Sequence, residues 1–247
     1  MKRTIGVIVL VIVAFAAIVL ARLPASWVLP GRNTGFSCAS IEGSIWEGYC
    51  AGLTVHGTAL GDLTWQLRPA RLLAGKLAAH IDLEHPPSTS AHGDVEVGLS
   101  GTVVAHALTA SLPLDSTVIP AIPPTLTGSL HADLALVKVT KKGVVSELQG
   151  SIQASNLVDR SGYVTPLGNF IVTFPAAAGP QPTGTVQDAG GPLAVQGTLV
   201  LTPQPGYDLS GYVTPRPSAS QPLINAIQFL GSPDAQGRRQ FAMSGTY

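Results

Sequence analysis

Seventeen residues without a charge, Ile5 to Ala21, constrain this chain more than anything else in it. Lys2 and Arg3 precede the run, and Arg22, Pro24 and Trp27 follow it. A helix needs about 20 apolar residues to cross a bilayer core, and a charge at the centre is costly. The run, extended to Val28, therefore reads as a signal-anchor helix over 5–28. Residues 1–4 then lie on the cytoplasmic side, where the positive-inside rule puts Lys2 and Arg3, and Trp27 lies at the opposite headgroup level. The competing reading is a cleaved signal peptide, whose apolar core is usually about 7–15 residues and ends at a small-x-small site. The run is longer than that, and Leu20-Ala21-Arg22-Leu23-Pro24-Ala25 offers no convincing site. On both readings residues 29–247 are exported.

The exported part reads as all-β. The chain's 27 glycines and 20 prolines are many for a helical protein, and Val, Thr, Leu and Ser fill the intervals. The formal net charge is zero, with only 11% charged residues, so the overall charge makes no electrostatic case for nucleic acid or for an anionic surface. The mean hydropathy of +0.33 is raised by the apolar run and does not make the body a membrane barrel.

Two cysteines, Cys38 and Cys50, follow the run closely. In an oxidising compartment a near pair reads as a disulfide across a hairpin, against the alternative of two free buried thiols. No further thiol or nearby His completes a zinc site.

Strand signals recur along the body. Phe36 to Thr58 reads as two or three short strands. Leu63, Trp65 and Leu67 alternate with Thr64, Gln66 and Arg68 until Pro69 stops the strand, and one helical turn over 70–73 precedes a further alternating run from Lys76 to Leu83. Pro86 to Ser90 is a loop, and strands continue from Asp94 to Leu108. The proline-rich stretch 112–124 reads as an extended crossing segment or a short helix between sheet halves. Strands over 126–140 and 144–155 flank a hairpin turn at Lys141-Lys142-Gly143. Residues 176–191, small and rich in Gly, Pro and Thr, read as a mobile loop. Strands resume over 193–202 and 207–213. Leu223, Ile224, Ile227 and Leu230 mark one helix, ended by Gly231. A turn at Asp234 to Gly237 and a strand from Arg239 close the chain.

A five-residue pattern (an apolar residue, any residue, Gly, Ser or Thr, then an apolar residue) starts at Ile41, Val55, Leu99, Leu126, Leu148, Val195 and Met243. Ser161-Gly162-Tyr163-Val164-Thr165-Pro166 also matches Ser210-Gly211-Tyr212-Val213-Thr214-Pro215. Glycine inside a strand removes a side chain from one face and permits sharp coiling. The repeats predict a strongly curved antiparallel sheet, groove-like or sandwich-like, with one or two short helices.

Catalytic patterns are missing. The sequence has no phosphate-cradling glycine loop and no Gly-x-Ser-x-Gly elbow. His85, His92 and Asp94 are the one close set of metal-ligand types, and they read as solvated loop residues. Glu42 and Glu47 flank Trp46 and, on one strand, would point to opposite faces. No enzyme, cofactor or metal is expected.

Certain blocks carry a family resemblance. They are Gly43-Ser44-Ile45-Trp46-Glu47-Gly48 behind the anchor, Leu60-Gly61-Asp62-Leu63-Thr64-Trp65-Gln66-Leu67-Arg68-Pro69 with Leu72-Leu73-Ala74-Gly75-Lys76-Leu77, Gly206 to Pro215, and Leu230-Gly231-Ser232-Pro233-Asp234-Ala235-Gln236-Gly237-Arg238. Together they resemble protein N of the type II secretion system. The resemblance implies a non-enzymatic accessory of the machine that moves folded proteins across the outer membrane. It would be a single-pass protein of the bacterial inner membrane with its C-terminal domain in the periplasm, and its partners would be other inner-membrane or periplasmic secretion components. Structural or interaction roles are expected for Trp46, Trp65, Arg68, Gly231 and Asp234. The Cys38/Cys50 pair is not carried by the resemblance.

A reading from another class stands beside it. A curved sheet behind one anchor also resembles periplasmic β-groove proteins that carry lipid, in which Leu63, Trp65, Leu67, Leu134, Leu136, Leu199 and Leu201 would line an open apolar groove. An exported hydrolase is the third reading, and no nucleophile-base-acid set can be assembled for it.

Overall fold

The computed structural model describes residues 22–28, 35–55, 57–85, 89–114, 116, 122–176 and 179–246. The apolar run 5–21 lies outside the described residues, and no helix among those described is long and apolar enough to cross a membrane.

Fourteen strands form one antiparallel sheet. They are β1 Phe36–Ser37, β2 Ser40–Gly43, β3 Glu47–Val55, β4 Thr58–Leu67, β5 Lys76–His85, β6 Thr89–Gly98, β7 Val103–Leu114, β8 Leu126–Val139, β9 Val145–Asp159, β10 Thr165–Phe174, β11 Thr183–Asp188, β12 Leu193–Leu201, β13 Tyr207–Pro215 and β14 Arg239–Gly245. From β3 onward each strand pairs with the next in sequence. β1 and β2 share one edge of β3, Phe36 opposite Val55 and Gly43 opposite Gly48. Among the described residues three short helices accompany the sheet: α1 Ala25–Val28, a 3-10 helix Pro69–Ala74, and α2 Gln221–Gln228.

The sheet is a single layer, not a sandwich of two halves. Each strand packs on its sheet neighbours, and only sixteen apolar side chains are buried among the described residues, too few for a sealed second layer over fourteen strands. The stretch 112–124 is therefore no crossover: β7 runs to Leu114 and pairs with β8, its neighbour in the chain. Thr183–Asp188, within the stretch expected as a loop, is β11, paired on both sides. His92 and Asp94 stand on β6 and His85 on β5, within paired strands. Glu42 and Glu47 belong to two strands joined by a tight turn in which Ser44 Oγ accepts from the Glu47 N–H at 3.2 Å.

The glycine repeats divide into two uses. Gly43 and Gly101 sit in or beside hairpin turns with φ of +86° and +75°, as the left-handed region requires. Gly128, Gly150, Gly197 and Gly245 lie inside strands, where a Cβ would strike a neighbouring strand or an aromatic ring. Register shifts mark bulges along β3–β4, β6–β7, β8–β9 and β9–β10, the devices that coil a long sheet.

Two rims result. The near rim carries the turns 44–46, 99–102, 140–144 and 202–206 and the 3-10 helix. The far rim carries the connections 160–164 and 189–192 and the α2 segment. The chain enters at the near rim: the Ile45 N–H donates to the Leu23 carbonyl at 3.0 Å, and Pro24 bridges to Ser44.

Candidate functional site

Alternation in β4 sends Leu63, Trp65 and Leu67 to the inner face of the sheet. Trp65 pairs with Gly48, and its ring occupies the space that a Gly48 side chain would need. The indole Nε1–H donates to the Ile45 carbonyl at 3.2 Å, which fixes the ring and satisfies its one polar atom. Cys50, paired with Leu63, is bonded to Cys38 as a disulfide with Cα atoms 5.5 Å apart. That bond holds the β1–β2 segment, and with it Phe36, over the same face.

These residues enclose a cavity of about 390 Å³. Leu53, Ile45 and Leu77 complete a lining that is wholly apolar apart from the disulfide sulphurs. The volume lies within the range of small-molecule sites, about 300–1,000 Å³. Such a lining can receive acyl chains or apolar side chains. It has no polar group to pair with a peptide backbone, which would lose its hydrogen bonds there.

The other end of the inner face is closed. α2 lays Leu223 and Ile227 on Val186, Leu193, Val195 and Val213, with Leu199, Leu209 and Phe241 packed at the margin. The Asp188 carboxylate anchors this end. It accepts from the Val195 N–H at 2.9 Å and from Arg216 Nη2 at 2.6 Å, and Arg216 also donates to the Leu193 carbonyl. Burial would raise the Asp188 carboxyl, but the Val195 and Arg216 bonds outweigh it and hold the group below the usual carboxylate range.

The seven expected groove residues therefore do not form one groove. Leu63, Trp65 and Leu67 line the cavity. Leu199 belongs to the closed end. Leu134 pairs with Leu108 and Gly150, whereas Leu136 pairs with His106 and Gln149. A bulge between Leu134 and Leu136, facing Ala107 at φ +48°, reverses the alternation there.

The outer face of β5–β7 carries charge. Asp94 accepts from Arg68 Nη2 at 2.8 Å and lies 2.8 Å from His80 Nδ1, while Glu96 pairs with Lys76 at 3.1 Å and Arg71 at 3.4 Å. The bond to His80, then the Arg68 charge, hold the Asp94 carboxyl below its ordinary range. Among the described residues no three His, Cys, Asp or Glu side chains are placed to hold a metal ion. The arrangement is a half-exposed ion-pair strip of the kind that contributes little to stability.

The single residues fall into two places. The Trp46 carbonyl accepts from the Leu67 N–H, and with Trp65 and Arg68 it surrounds the near-rim end of β4. Gly231, at φ +108°, follows α2 on the far rim. Asp234 accepts from the N–H groups of Gln236 and Arg238 and from Arg238 Nε at 2.9 Å, which poises the guanidinium 4.5 Å from the centre of the Tyr212 ring. The two groups stand at opposite ends of the strand order. Arg216, Asp188 and the α2 contacts escape a sequence reading because nothing local couples residues 28 positions apart; the helix period alone pointed to Leu223 and Ile227.

The family model for type II secretion system (T2SS), protein N, matches residues 34–242. A type II secretion system protein N from Vibrio cholerae serotype O1 is 29% identical to this chain over 99% of both lengths. One of the same name from Aeromonas hydrophila is 24% identical over 96% of both. No solved structure matches the chain. The match runs from the edge of β1 to the middle of β14, across every strand that builds the cavity and the closed end, and the chain belongs to the type II secretion system protein N family.

Proposed function

We propose that this protein is a non-enzymatic accessory component of the type II secretion system. The apolar run 5–21 anchors it in the bacterial inner membrane, and its sheet in the periplasm contacts other secretion components. The family match across the whole sheet carries the reading. The fold supports it in one way: among the described residues β14 pairs on one side only, with β13, leaving an edge to which a partner strand can add. Purification of the full-length protein from membranes in mild detergent, with mass spectrometry of what remains bound, tests this. Inner-membrane secretion components at a fixed ratio are the expected result. Their absence, together with cross-linkers along Arg239–Gly245 that trap none of them, rejects it.

The cavity favours a second reading, a lipid-binding sheet. Its apolar lining and its volume suit an acyl chain better than a peptide. Phospholipid retained through purification by the wild-type chain, and lost in Leu63→Glu, would support this reading over pure scaffolding. Equal retention by both chains would reject it.

A further inference from the structure

We infer that the near rim of the sheet is a membrane-docking surface that rests on anionic phospholipid, so that the strands stand on the bilayer by their hairpins. The inference rests on the reading of residues 5–21 as an anchor, and three observations support it.

The first is a set of leucines without cover. Leu73 in the 3-10 helix is 95% exposed and Leu99 in the β6–β7 turn is 94% exposed. Both stand at the 3-10 helix: Leu99 Cδ1 lies 3.2 Å from the Cβ position of Gly75, the residue that ends the helix carrying Leu73. Leu72, on the same 3-10 helix, is 44% exposed. Neither Leu73 nor Leu99 is among the residues that line the inner-face cavity. Contiguous exposed apolar groups of this kind mark interaction surfaces.

The second is charge. Arg71 and Lys76 flank the leucines, and exposed Lys141 and Lys142 occupy the adjoining β8–β9 turn, whose Lys141 Cβ lies 3.1 Å from the Cβ position of Gly101. Arg71 and Lys76 share Glu96, at 3.4 and 3.1 Å, and Lys138 pairs with Glu147, whereas Lys141 and Lys142 form no ion pair among the described residues. Leucines bordered by Arg and Lys match the boundary between acyl chains and anionic headgroups.

The third is where the chain enters. Arg22 to Pro24 are tied to Ser44 and Ile45, so the apolar run ends at this rim, with Trp27 78% exposed beside it. If that run spans the membrane, the near rim is held next to the headgroups. The far rim also exposes Tyr163, Val164, Phe229 and Leu230. It lacks the entry point, and its Asp234 is paired with Arg238.

Single cysteines at Leu73, Leu99, Tyr163 and Phe229, one per variant of the full-length chain, provide the test; under non-reducing conditions the native pair is bonded and does not label. Each variant is labelled with a fluorophore and reconstituted in phosphatidylethanolamine–phosphatidylglycerol vesicles containing brominated acyl chains. Quenching at 73 and 99 is expected to exceed that at 163 and 229 by about twofold or more. Equal or reversed quenching overturns the inference. So does loss of solvent access at 73 and 99 without quenching, which would mean that protein covers the rim. Alkaline carbonate extraction of the same vesicles reports on the anchor separately. A chain that resists extraction but shows no quenching difference keeps the anchor and loses the docking surface; a chain that is extracted loses the anchor reading, while the quenching ratio still decides the docking surface.

Discussion

Trp65 lies on Gly48, Phe174 on Gly184, Phe241 on Gly211 and Tyr207 beside Gly245; in each case the ring covers an inner-face glycine that a Cβ would displace. An aromatic over a cross-strand glycine covers bare backbone with apolar area and keeps the register, because only that pairing leaves room for the ring. Gly48→Ala puts a methyl group into the Trp65 ring and is expected to cost about 1–3 kcal/mol, as overpacking typically does. A lower thermal midpoint, together with a shift in tryptophan emission, would register it; an unchanged midpoint would show that the ring has room to move. Asp188 gives a prediction about pH. Its folded pKa lies below the unfolded value of about 3.9, so its contribution is present above that value and is lost as pH falls through the folded pKa. Asp188→Asn is therefore expected to melt lower than wild type at pH 7, by about 1–3 kcal/mol of lost charge-assisted bonding, and to show a shallower decline in midpoint below about pH 4. Parallel acid limbs would exclude Asp188 as the titrating group.

α2 is the element that closes the far end of the inner face. It starts after Ser220 with Pro222 in its first turn, where a missing N–H costs nothing, and it turns Leu223 and Ile227 inward. Leu223→Ala removes a side chain only 6% exposed and is expected to destabilise by about 2–4 kcal/mol, whereas Ile224→Ala on the same helix should cost under about 1 kcal/mol; chemical denaturation of the pair separates them. The β1–β2 segment depends on a different device. It pairs with β3 alone, and the Cys38–Cys50 bond closes a span of 12 residues, worth about 3 kcal/mol on the loop-entropy account. Reduction is expected to free Phe36 from the cavity and to raise the binding of an apolar dye. What the sequence made legible follows from these local rules. The end of β4, the 3-10 turn and the start of β5 could be read because alternation from Leu63, Pro69 and the new alternation from Lys76 mark them, whereas the start of β4 at Thr58 and the end of β5 at His85 had no such mark. α2 could be read from its period. β11 was hidden because Thr183-Gly184-Thr185-Val186 has one large apolar residue, with its ring supplied by Phe174 from the next strand. The misplacing of Leu136 has a similar origin: a bulge reverses the faces, and no residue type announced it.

At the scale of the whole molecule, a meander in which strands meet chiefly their sheet neighbours behaves more like a solenoid than a globule. Its stability is then a chain of local terms, and they are unequal. The β10–β13 end has a packed cluster, a helix over it and the Asp188–Arg216 pair; the β3–β5 end faces a cavity of about 390 Å³ and relies on one disulfide. Neither the single layer nor this imbalance could be read from strand propensity, because alternation is the same whether the apolar face meets a second sheet, a ligand or a gap. Opening free energies should therefore rise along the sheet. Native-state hydrogen exchange is expected to protect β12 and β13 amides most, and those of β3–β5 about tenfold or more less, a difference of about 1.4 kcal/mol. A ligand that fills the cavity should slow exchange in β3–β5 and leave β12 and β13 unchanged, while a partner that adds to the β14 edge should act in the opposite sense. Uniform protection across the fourteen strands would mean one cooperative unit, and would remove the basis for treating the cavity end as the part that responds to a ligand.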